Sequence, residues 1–223
     1  MTSPFLYFAG TRLSGAELCA ARLDGHVVEL GEGWIPADAV ETAALRAASL
    51  EGLLGATLAA THLSAAWVHG ALPDPPARHT VQRAVAWRVH QVIDRRRIYR
   101  DLRVHPDDLM LLGGVQVTDP VRTLADCART PDDAHTIAAR LLADAEPGLV
   151  GRAAEWLDAH GPLPRKRSAL ALLAGLAART MAADREAPRK ENGETATPVE
   201  AAATLVEGRG DERDDVVTRS TTW

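Results

Sequence analysis

The stretch from Met110 to Asp126 limits the fold more than any other part of the chain. Met110–Leu112 and Val115–Val117 have the length and apolar content of strands, and Gly113-Gly114 between them suits a two-residue hairpin turn. Asp119-Pro120 follows at once. Aspartate is a good helix cap, and proline fits the first helical position, where a missing N–H leaves nothing unbonded. A hairpin that runs straight into a capped helix must bury one face of a sheet against helices, which predicts an α+β protein.

The neighbouring segments extend this reading. Thr80–Val85 and Arg97–Val104 add two more strands to a central small β-sheet flanked by helices. Residues 39–70 are helical in pattern, with Val40, Ala44, Leu45, Ala48, Leu53 and Leu54 spaced by threes and fours. Within them Thr61–Gly70 reads as a short helix closed by Gly70, and Pro73-Asp74-Pro75-Pro76 as a turn. Thr130-Pro131-Asp132-Asp133 opens a second helix running to about Glu146. Leu149–His160 makes a third, ended by Gly161-Pro162, and Ser168 to about Met181 a fourth, after the basic turn Arg165-Lys166-Arg167. Past roughly Asp184 the chain is rich in Glu, Arg, Thr and Gly and reads as a disordered tail, with one helical stretch near Val199–Val206.

At the other end, Ser14 and Glu17 have the spacing of a capping box, and Gly25 is placed to stop the helix they begin. His26–Leu30 and Gly33–Pro36 then flank Gly31-Glu32 as a second hairpin. Helix followed by hairpin is the second half of a winged helix. Only twelve residues precede Leu13, so at least one helix of a complete winged helix is expected to be missing. The expected organisation is therefore a partial winged-helix-like unit at 1–38, an α/β domain at 39–182 and a tail at 183–223.

Charge is unevenly spread along this chain of net charge −5. Residues 1–50 carry six acids against three arginines, whereas residues 78–103 carry eight arginines against Asp94 and Asp101. That basic stretch is a candidate footprint for a polyanion or an acidic protein, with a solvated surface as the plain alternative. The candidate contacts are Arg95, Arg96, Arg97, Arg100 and Arg103, together with Arg165, Lys166 and Arg167. Arginine outnumbers lysine 23 to 2 and alanine occupies 41 positions, a bias resembling that of high-GC bacterial genomes. No run approaches the ~20 apolar residues of a membrane helix. The N-terminus has neither a basic leader nor a long apolar stretch, so a cytoplasmic protein is expected.

The common catalytic constellations are absent from the sequence. It has no G-x-S-x-G elbow, P-loop, G-x-G-x-x-G or H-E-x-x-H, and Cys19 and Cys127 make neither a zinc site nor a disulfide framework. Asp132-Asp133 and Asp107-Asp108 are the best acidic pairs, and helix capping and a turn between strands account for them. His62, His69 and His135 are read as packed residues before metal ligands, and Cys127 as a small buried hydrophobe. Arg122 is placed to pair with Asp119 or Asp126, and Thr123 to bond the cap region. No catalytic residue, cofactor or metal is expected.

Two motifs in order carry a resemblance. Ser64-Ala65-Ala66-Trp67-Val68-His69-Gly70 is followed by Gly114-Val115-Gln116-Val117-Thr118-Asp119-Pro120-Val121-Arg122-Thr123-Leu124-Ala125-Asp126. Over roughly residues 13–180 the chain resembles AbiEi-type antitoxins and the related actinobacterial viral-defence transcriptional regulators. The resemblance implies a regulator or DNA-binding protein of a type IV toxin–antitoxin (abortive infection) system, active in phage defence. Its implied partners are operator DNA and a nucleotidyltransferase-like toxin. The N-terminal unit departs from a DNA reader, because its helix offers only Arg22 as a basic side chain and its hairpin carries Glu29 and Glu32. A protein-interaction module that contacts the toxin without reading DNA is the alternative.

Overall fold

The computed structural model describes residues 4–90 and 94–186. The chain begins with α1 (Gly15–Leu23), capped by Ser14 with the reciprocal Glu17 bond of a capping box. The hairpin β1 (Val27–Leu30) and β2 (Gly33–Pro36) follows, paired in register from Val27–Pro36 to Leu30–Gly33. Tyr7 exchanges two backbone hydrogen bonds with Trp34 and adds a further extended segment beside β2. The N-terminal unit is thus the helix–hairpin pair expected from the sequence.

The turn of that hairpin is not free. Gly31 has a left-handed φ of 55°, and a Cβ there would collide with Ser49 Oγ and lie 2.9 Å from the Trp67 ring. Glu32 beside it pairs with Arg96 at 2.6 Å.

The segment expected to be helical from 39 to 70 departs from that pattern. It folds as α2 (Ala43–Ser49), α3 (Glu51–Leu54), β3 (Leu58–Ala60) and α4 (His62–Val68). Val40, read as part of the apolar stripe, is exposed. The three residues of β3 form the middle strand of the sheet, fully buried between neighbours on both sides. Two of them are alanine, so propensity argues for helix. Pairing decides the matter: β3 runs antiparallel to β4 (His79–Arg83) and parallel to β7 (Val115–Thr118).

The sheet order is β5-β4-β3-β7-β6, where β5 is Arg97–Arg103 and β6 is Leu109–Leu112. β4 and β5 are parallel, and β6 and β7 form the hairpin around Gly113-Gly114, both with positive φ. The long edge strand β5 carries Arg97, Arg100 and Arg103, a charge pattern that also discourages edge-to-edge pairing.

The C-terminal helices are α5 (Pro120–Ala128), α6 (Asp133–Ala145), α7 (Leu149–Ala159) and α8 (Lys166–Glu186). The last begins at Lys166 rather than Ser168, so Lys166 and Arg167 lie in its first turn. The expected tail beyond Glu186, with its stretch near Val199–Val206, lies outside the described residues. Two cores result. One gathers the hairpin, α2 and the sheet around the fully buried Trp67, and the other joins α5 to α8 through Leu124, Leu142, Leu157 and Leu173. Helix α4 serves both, turning Trp67 to the first and Ala66 to the second.

Candidate functional site

The junction of β7 and α5 is built from short-range bonds. Asp119 accepts from the Arg122 N–H at 2.7 Å, as its cap role requires, and Thr123 Oγ1 bonds both Thr118 Oγ1 (2.8 Å) and the Thr118 carbonyl (3.1 Å). One turn on, the Arg122 guanidinium donates to Asp126 at 2.9 Å and to Asp108 at 2.8 Å. Asp108 accepts a further bond from Trp156 Nε1, and the guanidinium lies 4.9 Å from the Trp156 ring centre. All three charged side chains are nearly buried. Burial disfavours the cation, but the Asp126 charge and the Asp108 bond outweigh it and hold the Arg122 pKa above its ordinary value. Arg122 pairs with Asp126 as expected, whereas its second partner is Asp108, not Asp119. The motif is therefore a clamp: its arginine, braced by the aspartate, ties α5 to α7 and to the β5–β6 connection, and its threonine ties α5 to the end of β7.

The basic candidates divide into engaged and unengaged groups. Arg96 bonds Glu32 and Asp94, and its side-chain and backbone bonds to Asp94 hold that carboxyl down at about 2. Arg97 donates to the Leu53 carbonyl at 2.7 Å. Lys166 donates to the carbonyls of Asp158 and His160 at the end of α7, a C-terminal cap. Arg95, Arg103 and Arg167 are exposed, and among the described residues no acid lies within ion-pair distance of these or of Arg100 and Arg165.

Arg100 and Arg165 meet in one place. Together with His62, Leu102, Asp126, Arg129 and Thr130 they line a groove of about 310 Å³ between β5, the end of α5 and the start of α8. Asp126 brings no free charge there, since Arg122 and Arg129 occupy its two oxygens. Burial lowers the Arg129 pKa, with Arg122 and Arg100 adding repulsion, which outweighs Asp126. His62 is 3% exposed; its Nδ1 lies 3.0 Å from Thr61 Oγ1 and its ring stands edge-on to His135. Burial drops its pKa from 6.5 to about 4. Neutral pH therefore leaves an uncharged imidazole at the groove.

That shift sets a pH dependence. The unfolded chain takes up a proton on His62 below pH 6.5, while the folded chain resists until about pH 4, so stability is lost as pH falls across that window. Urea midpoints measured at about pH 7 and about pH 4.5 will differ. The difference will shrink in His62→Gln; an equal acid loss in that variant counts against the assignment.

The other chemical candidates have structural places. His69 donates to the Thr118 carbonyl at 2.7 Å, and Asp132 caps α6 while accepting from His135 Nδ1 at 2.8 Å. Cys127 is fully buried, which pushes its thiol pKa up. Among the described residues no group of three or more His, Cys, Asp or Glu side chains is arranged to hold a metal ion, and no helix is long and apolar enough to cross a membrane. Sequence reasoning missed the groove as a unit. Arg129 carried no signal beyond its place after a helix, and Arg100 and Arg165 are 65 positions apart.

Residues 58–155 match the model of the AbiEi antitoxin C-terminal domain, which spans the sheet from β3 through most of α7. The chain carries an AbiEi-type antitoxin domain. The matched residues include Asp108, Arg122, Thr123 and Asp126 of the clamp and end just before Trp156, while α1 and the β1–β2 hairpin lie outside them. No curated protein matches the sequence. Among solved structures, that of the RV2827C protein from Mycobacterium tuberculosis aligns over 73% of this chain and 70% of that one, at 19% identity and a TM-score of 0.30.

Proposed function

We propose that this antitoxin protein acts as a protein-interaction module of a type IV toxin–antitoxin system, engaging a nucleotidyltransferase-like toxin through its AbiEi domain. In this reading it works in the bacterial cytoplasm in phage defence and performs no catalysis. The docked tip of the β1–β2 hairpin carries the argument. In a winged helix that reads DNA, the recognition helix and wing must face the duplex with positive charge. Here Gly31 is pressed against Ser49 and Trp67, and Glu32 is committed to Arg96. Helix α1 offers Arg22, which lies 3.5 Å from Glu29. The exposed Arg95, Arg103 and Arg167 supply the cationic surface that an acidic partner face would meet.

The regulator reading, with operator DNA as partner, draws support from those same unpaired arginines. Co-expression with the product of an adjacent gene separates the two. The interaction reading expects the pair to purify together, and no shift of upstream duplex DNA at about 50 mM salt, where phosphate contacts are strongest. A salt-sensitive DNA shift without a co-purifying partner would overturn it in favour of the regulator.

A further inference from the structure

We propose that the groove between β5, the end of α5 and the start of α8 binds a mononucleotide, with its phosphate held by Arg100 and Arg165. The proposal goes beyond the partner reading and does not depend on it. Three observations converge on the groove. Arg100 is half-buried there without an acidic partner among the described residues, and Arg165 faces the same space. Desolvating an unpaired guanidinium is unfavourable unless an anion joins it.

The backbone supplies the second observation. Among the described residues the two non-glycine positions with left-handed φ are His62 (53°) and Arg165 (59°), and both line this groove. Such conformations persist only where the surroundings over-determine them, and they gather at ligand sites. His62 opens α4 and Arg165 immediately precedes α8, so the two come from separate parts of the chain.

The third is the size and the lining. At about 310 Å³ the groove falls at the small end of ligand clefts (roughly 300–1,000 Å³), more than a bare phosphate needs. Leu102, Pro131 and Pro164 give it apolar walls against which a base or sugar can lie. His62 Nε2 has no hydrogen-bond partner among the described residues, and the neutral ring can bond a hydroxyl or a base edge. The cations converge on one recess instead of lining a ridge, which fits a single phosphate better than a duplex backbone or an extended acidic peptide.

Calorimetric titration of the full chain tests the proposal, using adenosine 5′-monophosphate, adenosine and inorganic phosphate as probes. The nucleotide is expected to bind, phosphate more weakly, and adenosine not at all. Arg100→Ala and Arg165→Ala should each weaken nucleotide binding about tenfold, the order expected for one lost charge-assisted hydrogen bond. Arg103→Ala, next along β5 but outside the groove, should bind as the parent does, and thermal midpoints will show whether all three variants are folded. Absent nucleotide binding, or binding indifferent to both arginines, overturns the proposal. Phosphate binding as tightly as the nucleotide would make inorganic phosphate the ligand and overturn the mononucleotide assignment. A glutamate-rich peptide that binds with the same arginine dependence where the nucleotide does not would make the groove a protein-docking site instead.

Discussion

Replacing Arg122 with alanine will lower the unfolding free energy by about 3–5 kcal/mol, the penalty for breaking a buried ion pair by removing one partner. The guanidinium bridges Asp108 and Asp126, which are 9% and 3% exposed at the side chain, and lies over Trp156. In its absence two buried carboxylates lose a counter-charge, although Trp156 still donates to Asp108 and Arg129 to Asp126. Against a typical domain stability of about 5–15 kcal/mol, such a loss threatens the fold itself. Arg122→Lys should recover part of it, because an ammonium restores the charge but lacks the planar fork that serves two carboxylates at once. Urea denaturation reads both variants. A loss below about 1 kcal/mol in the alanine variant would place Arg122 with ordinary surface pairs and remove the clamp from the account of this motif.

The second large effect separates two adjacent glycines. Gly113 and Gly114 both have positive φ, at 54° and 85°, so alanine at either position carries the left-handed penalty of about 1–2 kcal/mol. Only Gly113 touches a neighbour. A Cβ there would run into the Ala44 carbonyl oxygen and lie 2.9 Å from Ala48 Cβ, whereas nothing lies within 4 Å of one at Gly114. Gly113→Ala should therefore destabilise by a further ~1–3 kcal/mol, the usual range for overpacking. Denaturant midpoints compare the two directly. Equal losses would mean that α2 moves aside freely and that the hairpin does not seat against it.

These two predictions also mark where local chemistry stops. The Gly113-Gly114 turn, the Ser14 capping box, the Asp119-Pro120 start of α5 and the Asp132 cap of α6 were all legible from the residues. In each case the deciding bond joins groups within three positions of one another, so sequence spacing alone states the geometry. The motif Arg122-Thr123 to Asp126 was legible for the same reason in its i, i+4 pair.

What lay hidden depends on partners distant in the chain. β3 is three residues long and two of them are alanine, so nothing local favours a strand; β4 and β7 on either side make it one by supplying its hydrogen bonds. Glu32 read as a phosphate-repelling acid on a free hairpin until the fold set it against Arg96, 64 positions away. Lys166 read as a surface cation until the end of α7 presented its unbonded carbonyls. The groove is the extreme case, since His62, Arg100, Arg129 and Arg165 come from four separate parts of the chain and carry no shared pattern. The sequence by itself determined where the capped helices α1, α5 and α6 begin and where the two hairpins turn, because caps and turns are settled by near neighbours. Which charges are neutralised and which stay open to a ligand was decided only by tertiary packing, because Coulomb and hydrogen-bond energies depend on separation in space and take no account of separation along the chain.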